Sequence, residues 1–309
     1  MPMIPAPPPR VTLSGVLGVA RAPFLPLAAL VAADGALAQT AGRPDPWRLA
    51  LGVLGLTAAH ALVNALNELA DDASGLDHQT LRTPFSGGSG ALQRGLVTRA
   101  GARGVAALAG AVALAVAAVA LAGYREWRLL PVLLAGAACV LLYTPWLLRV
   151  ELGEAAAGLG LGGLPVIGAA MLQGGALRPA VWLVALAATA MTFNLLLFNT
   201  IPDAEPDRRA GRRSLVHRAG VAGAGRIGLA AWALATIALG LGLLGGVLPH
   251  WGWLAAIPAL AFVLPVGRWT LAGAPLPVPL PVLAANVLHN VATHAVLILA
   301  WLLAAWPAR

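Results

Sequence analysis

Two short stretches of the chain concentrate its acids. Of the 12 carboxylates in 309 residues, Glu68, Asp71, Asp72 and Asp77 fall in one stretch and Asp203, Glu205 and Asp207 in the other. The first reads Asn67-Glu-Leu-Ala-Asp71-Asp-Ala-Ser-Gly75-Leu-Asp77, the second Asn199-Thr-Ile-Pro-Asp203-Ala-Glu-Pro-Asp207. Each opens with N-x-x-x-D at the end of an apolar run, and Asn199 and Asp203 each follow their counterparts by 132 residues. The chain therefore reads as two related halves that place matching ligands across a shared cavity. A four-residue spacing puts Asn67 and Asp71 on one helical face. Asp203 and Asp207 share a face only if their helix continues through Pro202 and Pro206, which oppose it. Carboxylates gathered in one place repel and require cations. Their hard oxygens suit Mg²⁺, which keeps several waters and takes one or two carboxylates together with substrate phosphates. A phosphorylated ligand follows.

Arginines stand beside both stretches, as a diphosphate requires, because a guanidinium offers it paired donors. Arg82 opens Arg82-Thr-Pro-Phe-Ser86-Gly-Gly-Ser-Gly90 after the first, while Arg208, Arg209, Arg212 and Arg213 follow the second. Gly87, Gly88 and Gly90 allow backbone N–H groups to approach an anion. Asp72 and Glu205 read equally well as ligands or as groups pointing to water. Arg94, Arg99, Arg103, Arg218 and Arg226 read as ordinary topology charges.

The elements that must position these groups are membrane helices. The chain is 59% hydrophobic and 10% charged, with a mean hydropathy of +0.82, too few charges to coat a surface facing water. Spanning the hydrocarbon takes about 20 mostly apolar residues. That requirement finds about nine spans, near 11–38, 47–70, 96–123, 128–148, 153–174, 179–201, 226–249, 251–272 and 279–306. An all-α transmembrane bundle around a central apolar cavity is expected, as a single domain over 11–309 behind a proline-rich, disordered tail at 1–10. Pro23, Pro26, Pro258 and Pro265 should kink or break their helices. Ala36-Leu37-Ala38 has the small-residue pattern of a signal cleavage site, but Arg21 and the length of the run favour a retained first span.

All 20 basic residues are arginine, for a net charge of +8. They sit between apolar runs and form no basic domain, which argues against a nucleic-acid partner. With nine spans, 13 arginines fall on the N-terminal side and six on the other, Arg21 lying inside the first span. The positive-inside rule then puts the N-terminus and both acidic stretches in the cytoplasm and the C-terminus opposite, as expected of an integral protein of the cell (inner) membrane. The lone Cys139 has no partner thiol and reads as a packing residue. Trp47, Trp127, Trp146, Trp251, Trp253 and Trp306 stand near span ends, as interfacial anchors do. Asn286, Asn290 and His294 share one face of the last span, where interhelical hydrogen bonding is preferred over a quinone site. His60, two turns before Asn67, lines the cavity or packs.

The two motifs resemble those of the UbiA superfamily of intramembrane prenyltransferases, and N-x-x-x-D-x-x-x-G-x-D followed by Arg-Thr-Pro is closest to the branch that prenylates 1,4-dihydroxy-2-naphthoate in menaquinone biosynthesis. The likeness extends to Arg21 with Pro23-Phe24-Leu25, to Tyr143-Thr-Pro145 with Arg149 and Gly153-Glu154, and to Gly211-Arg-Arg-Ser214 with Arg218 and Gly220. The resemblance implies that Asn67, Asp71, Asp77, Asp203 and Asp207 hold Mg²⁺ on the diphosphate of a polyprenyl donor. It implies that Arg82, Arg212 and Arg213 bind the diphosphate oxygens, with Asn67, Ser86 and Asn199 completing the substrate contacts. Asp71, Asp203 and Arg82 would promote departure of the diphosphate, and Tyr143 would steady the allylic cation or touch the aromatic acceptor. Glu68 stands where Asp is usual, Arg212 where Lys is frequent, and Trp146 where a second proline is common. Gly75 occupies a position that is acidic in the ubiquinone branch. A terpene cyclase of the same superfamily keeps the fold and changes the product. A cation-coupled transporter is the alternative of a different class, although transporters place their acids near the bilayer midplane.

Overall fold

The structure is a computed structural model and describes residues 11–76 and 87–306. The expected tail at 1–10 lies outside the described residues, as do the candidate site residues Asp77, Arg82 and Ser86. Among the described residues there are helices and loops and no strand.

Short α1 (Leu13–Val19) is followed by α2 (Leu25–Thr40), α3 (Pro46–Ser74), α4 (Arg99–Ala118), α5 (Leu130–Leu141), α6 (Gly153–Gly158), α7 (Leu164–Leu172), α8 (Pro179–Arg209), α9 (Leu215–Leu244), α10 (Ala256–Leu271) and α11 (Leu280–Ala305). A π-helical turn at Leu159–Gly163 joins α6 and α7 into one rod, and another at Val119–Gly123 prolongs α4. Eight of the resulting helices are long and apolar enough to cross a membrane. The ninth expected span, 128–148, is shorter: Trp127–Leu141 has 15 residues, about 22 Å at 1.5 Å per residue. Thr144-Pro145 stops it, since the residue before a proline is pushed out of the α region. It still runs the length of the bundle. Arg128 at its start reaches the carbonyl of Gly175 at the far end, and Tyr143 just past its end lines the site.

Prolines divide the expected first span as their missing donors require. Arg21 adopts a left-handed conformation (φ 50°) between α1 and a 3₁₀ turn at Ala22–Phe24, which turns its side chain inward. Elsewhere the prolines do less than expected. Pro258 falls in the first turn of α10, where no intrahelical donor is needed, and Pro265 is carried inside that helix. α9 begins 11 residues before the expected 226, because its first turns carry Arg218 and Arg226 and fail a purely apolar criterion; Gly220 breaks its helical geometry (φ 70°).

Helix α8 is the axis of the bundle, packed most extensively against α9 and touching α2, α6, α7 and α11 as well. Its Ala188 and Met191 share a core with Val31, Ala38, Val166 and Leu297 of the neighbouring helices, all nearly inaccessible. Small residues set these distances, as they must where lipid provides no hydrophobic drive between helices. Gly35 lets α2 lie directly on α7: a Cβ there would sit 2.2 Å from the Val166 carbonyl oxygen. Ala36 and Ala38 of the same helix are fully buried. The six tryptophans expected at span ends are all exposed, as membrane-interface anchors are.

Candidate functional site

The two acidic stretches meet. α3 ends just after Asp71, with Gly75 as its left-handed cap, and α8 continues through both Pro202 and Pro206 to Arg209. The doubt the prolines raise is resolved in favour of a continuous helix, so Asn199, Asp203 and Asp207 share a face. At 31 residues α8 is about 46 Å long, well beyond an apolar core of about 30 Å, and its acidic last turns reach the bundle's end. Gly211 (φ 77°) reverses the chain there, returning Arg212 over the opening. Its guanidinium pairs with Asp71 and, at 3.2 Å, with Asp207. Burial disfavours this cation, but Asp71 and Asp207 outweigh burial and hold its pKa above the ordinary value.

Around this bridge lies a cavity of about 120 Å³ whose walls include Arg21, Asn67, Asp71, Asn199, Asp203, Asp207, Tyr143, Arg212 and Arg213. Asp203 accepts the Gly87 N–H at 3.1 Å through Oδ2. Its Oδ1 and the Asn199 Oδ1 are buried without a donor. Asn67 Oδ1 accepts from Arg21 at 3.3 Å, and its amide reaches Thr144 at 3.5 Å. Glycine backbone does line the site, as the 87–90 run suggests, but the Gly87 donor serves Asp203.

Behind this polar mouth, and sharing Arg21, Asn67, Tyr143, Leu196 and Asn199 with it, is a more apolar chamber of about 130 Å³. Its wall shows the internal repeat running deeper than the motifs. His60, Asn64, Asn67 and Asp71 descend one face of α3; Thr192, Leu196, Asn199 and Asp203 descend α8 with the same spacing. His60 is buried there with Nδ1 unpartnered, and Cys139 contributes to the same wall.

The other acids of the stretches face elsewhere. Glu68 is fully buried and satisfied: Arg21 donates to it at 3.0 Å, and the Ser89 N–H and hydroxyl each at 2.8 Å. Its longer side chain is a brace between the first span and the glycine run. Asp72 turns outward to Arg99 on α4 and to Gln93. Glu205 is half-exposed and pairs with Arg208 and Arg209, which removes those arginines from the mouth. Asn286 and Asn290 hydrogen-bond to α8, and His294 to Asp34 of α2, which is the interhelical role preferred for that face. Two residues lining the mouth, Arg21 and Glu154, were given no site role by the spacing argument. The signal for Arg21 was a lone charge inside an apolar run, costly unless it faces a polar interior; Glu154 lies far from both motifs.

Oxygen donors on two facing helix ends, two of them without a donor of their own, fit a cation that is shared with a bound anion. Among the described residues no three His, Cys, Asp or Glu side chains converge as a ligand set for one ion. An Mg²⁺ ion held there would draw part of its shell from these carboxylates and the rest from phosphate and water.

The family description "UbiA prenyltransferase family" matches residues 25–274. No curated protein matches the sequence. Among solved structures, the fold is similar to a digeranylgeranylglyceryl phosphate synthase at 16% identity, over 94% of this chain and 98% of that one, with a TM-score of 0.65. A UbiA homologue from Aeropyrum pernix K1, in its apo form, gives 22% identity, 89% and 95% coverage and a TM-score of 0.68. A UbiA homologue from Archaeoglobus fulgidus, bound to GPP and Mg²⁺, gives 14%, 93% and 99%, and 0.57.

Proposed function

This chain belongs to the UbiA prenyltransferase family, and from that premise we propose that it transfers an isoprenyl group from a polyprenyl diphosphate to an aromatic acceptor with Mg²⁺, the acceptor being 1,4-dihydroxy-2-naphthoate or a related quinone precursor. The observation that carries the reading is the bridging of Asp71 and Asp207 by Arg212 at the mouth of an apolar chamber. The Archaeoglobus homologue bound to DMAPP and Mg²⁺, with a TM-score of 0.63, supports the same ligand pair. The naphthoate acceptor rests on the motif form N-x-x-x-D-x-x-x-G-x-D with Arg-Thr-Pro.

Asn67, Asp71, Asp203 and Asp207, with Asp77 from the chain beyond Leu76, would hold the metal. Bound Mg²⁺ neutralises charge on the departing diphosphate and so loosens the allylic C–O bond. Arg212 and Arg213, with Arg82, place guanidinium donors where that charge grows. Arg212 leaves the two aspartates as it turns to the diphosphate, so donor binding exchanges one countercharge for another. The chamber wall of His60, Val63, Val140, Leu161 and Leu195 keeps water from the allylic cation and houses the tail. Tyr143, shared by mouth and chamber, stands where cation and acceptor meet. The arginine distribution supports a cytoplasmic mouth and N-terminus. Placement of the acids at helix ends with arginines alongside suits a polyanion and leaves the transporter alternative without support.

The test uses membranes containing the protein, Mg²⁺, polyprenyl diphosphates of several lengths, and dihydroxynaphthoate or hydroxybenzoate. Metal-dependent prenylated product is expected, and Asp71→Ala and Asp203→Ala should abolish it. Product formed without an acceptor would move the reading to a cyclase; metal-independent turnover, or full activity in both variants, would reject it.

A further inference from the structure

Prenylating a hydroxyarene releases a proton, and a cavity that excludes water must provide a place for it. The metal-site carboxylates are reserved for the cation: Asp71 and Asp207, which pair with Arg212, and Asp203, which accepts from Gly87 through Oδ2, would give their remaining oxygens to the metal. His217 at the same wall is also occupied: Nδ1 serves Ser214, and Nε2 meets the Ala204 carbonyl at 2.6 Å. Tyr143 carries a phenol, which at neutral pH donates a proton and does not take one.

Glu154 is different. It lies in the first turn of α6, is 1% exposed, and forms part of the wall of the mouth cavity. One oxygen, Oε1, accepts the Leu215 N–H at 3.0 Å at the start of α9, where the helix dipole favours a carboxylate. The other, Oε2, is buried and meets no donor. An ionised oxygen buried without a hydrogen bond is strongly disfavoured, so a ligand hydroxyl is the natural missing partner.

We propose that Glu154 is a catalytic base that binds the acceptor through its ring hydroxyl and removes that proton. The inference rests on the prenyl-transfer reading above and deepens it by assigning the acceptor's end of the cavity. The hydroxyl proton passes to Glu154 Oε2, and the electron pair left on oxygen enriches the ring. A ring carbon then forms the C–C bond to the allylic carbon as the C–O bond to diphosphate breaks, the diphosphate leaving with both electrons. The resulting dienone regains a proton at oxygen from Glu154, and the carboxylate so restored takes the proton of the attacked carbon and passes it to the departing diphosphate. Hydroxyarene and prenyl diphosphate thus give prenylated hydroxyarene, diphosphate and one proton, with Glu154 returned to its carboxylate.

The test compares wild type with Glu154→Gln, whose amide oxygen can still accept the Leu215 N–H. The assay is the Mg²⁺-dependent reaction with a hydroxynaphthalene acceptor and with its fluorinated analogue of more acidic hydroxyl. Glu154→Gln should lower kcat about 100-fold on the parent acceptor, the scale of a lost general base, and by less than about 10-fold on the fluorinated one, which needs the base less. Binding of an unreactive thiodiphosphate analogue of the donor should be unchanged, which certifies the fold. Equal losses on both acceptors, or no loss, would overturn the assignment. Should Glu154→Gln not fold, the O-methyl ether of the acceptor poses the same question to wild type: it has no hydroxyl proton to give, so undiminished prenylation of the ether refutes the base. A wild type that prenylates no hydroxyarene at all rejects the acceptor reading itself, and this inference with it, while the variant comparison bears on Glu154 alone.

Discussion

Arg212 and Asp71, 141 positions apart in the chain, form an ion pair across the mouth of the cavity. Through the same guanidinium Asp207 is held at 3.2 Å. An arginine thus occupies, between two motifs, the place where countercharge is needed before any substrate arrives.

Arg212→Gln should leave Asp71 and Asp207 facing each other without that cation. Breaking a buried pair by removing one partner is costly, here about 2 kcal/mol because the mouth admits water. Thermal unfolding in detergent should show a lower midpoint for the variant, and Mg²⁺ alone should raise that midpoint more in the variant than in wild type. An unchanged midpoint would contradict the bridge.

Asp203→Asn keeps the size of the side chain and an oxygen for the Gly87 N–H, but removes the charge. Steady-state assays at saturating Mg²⁺ should show kcat lower by about 10²–10³-fold, the range for a lost electrostatic contact in a transition state. Glu205→Ala, at a half-exposed position paired with Arg208 and Arg209 of its own helix, should stay within about two-fold of wild type, since exposed pairs contribute little. Equal losses in the two variants would mean that the second motif is read on the wrong face.

Glu68→Gln tests a brace. The carboxylate ties Arg21 to Ser89, so its loss should loosen both the first span and the glycine run that reaches Asp203. The KM for prenyl diphosphate should rise about ten-fold, the effect of losing about 1.4 kcal/mol of binding, with a smaller change in kcat. A selective loss of kcat would instead mark Glu68 as a metal ligand.

Gly35→Ala tests the packing of α2 on α7. A methyl group placed 2.2 Å from the Val166 carbonyl oxygen forces the helices apart, and overpacking of this kind costs about 1–3 kcal/mol. The unfolding midpoint should fall while Mg²⁺-dependent activity at low temperature persists.

The amino-acid sequence by itself determined the all-α membrane architecture and the paired N-x-x-x-D motifs, because apolar runs and four-residue spacing are local properties of a helix; the repeat predicted that the motifs would meet, and tertiary packing brings them together. It did not decide which acids of each motif point inward. Glu68, Asp71 and Asp72 are neighbours on one helix, yet one braces Arg21, one lines the mouth and one faces Arg99; that division depends on how α3 is rotated against α4 and the first span. Nor did it reveal that α8 persists through Pro202 and Pro206, or that 128–148 forms a shorter rod, since helix ends are set by packing as much as by residue preference. Arg21 and Glu154 reach the mouth only through tertiary structure: a left-handed turn brings in the first, and a contact with the start of α9 fixes the second.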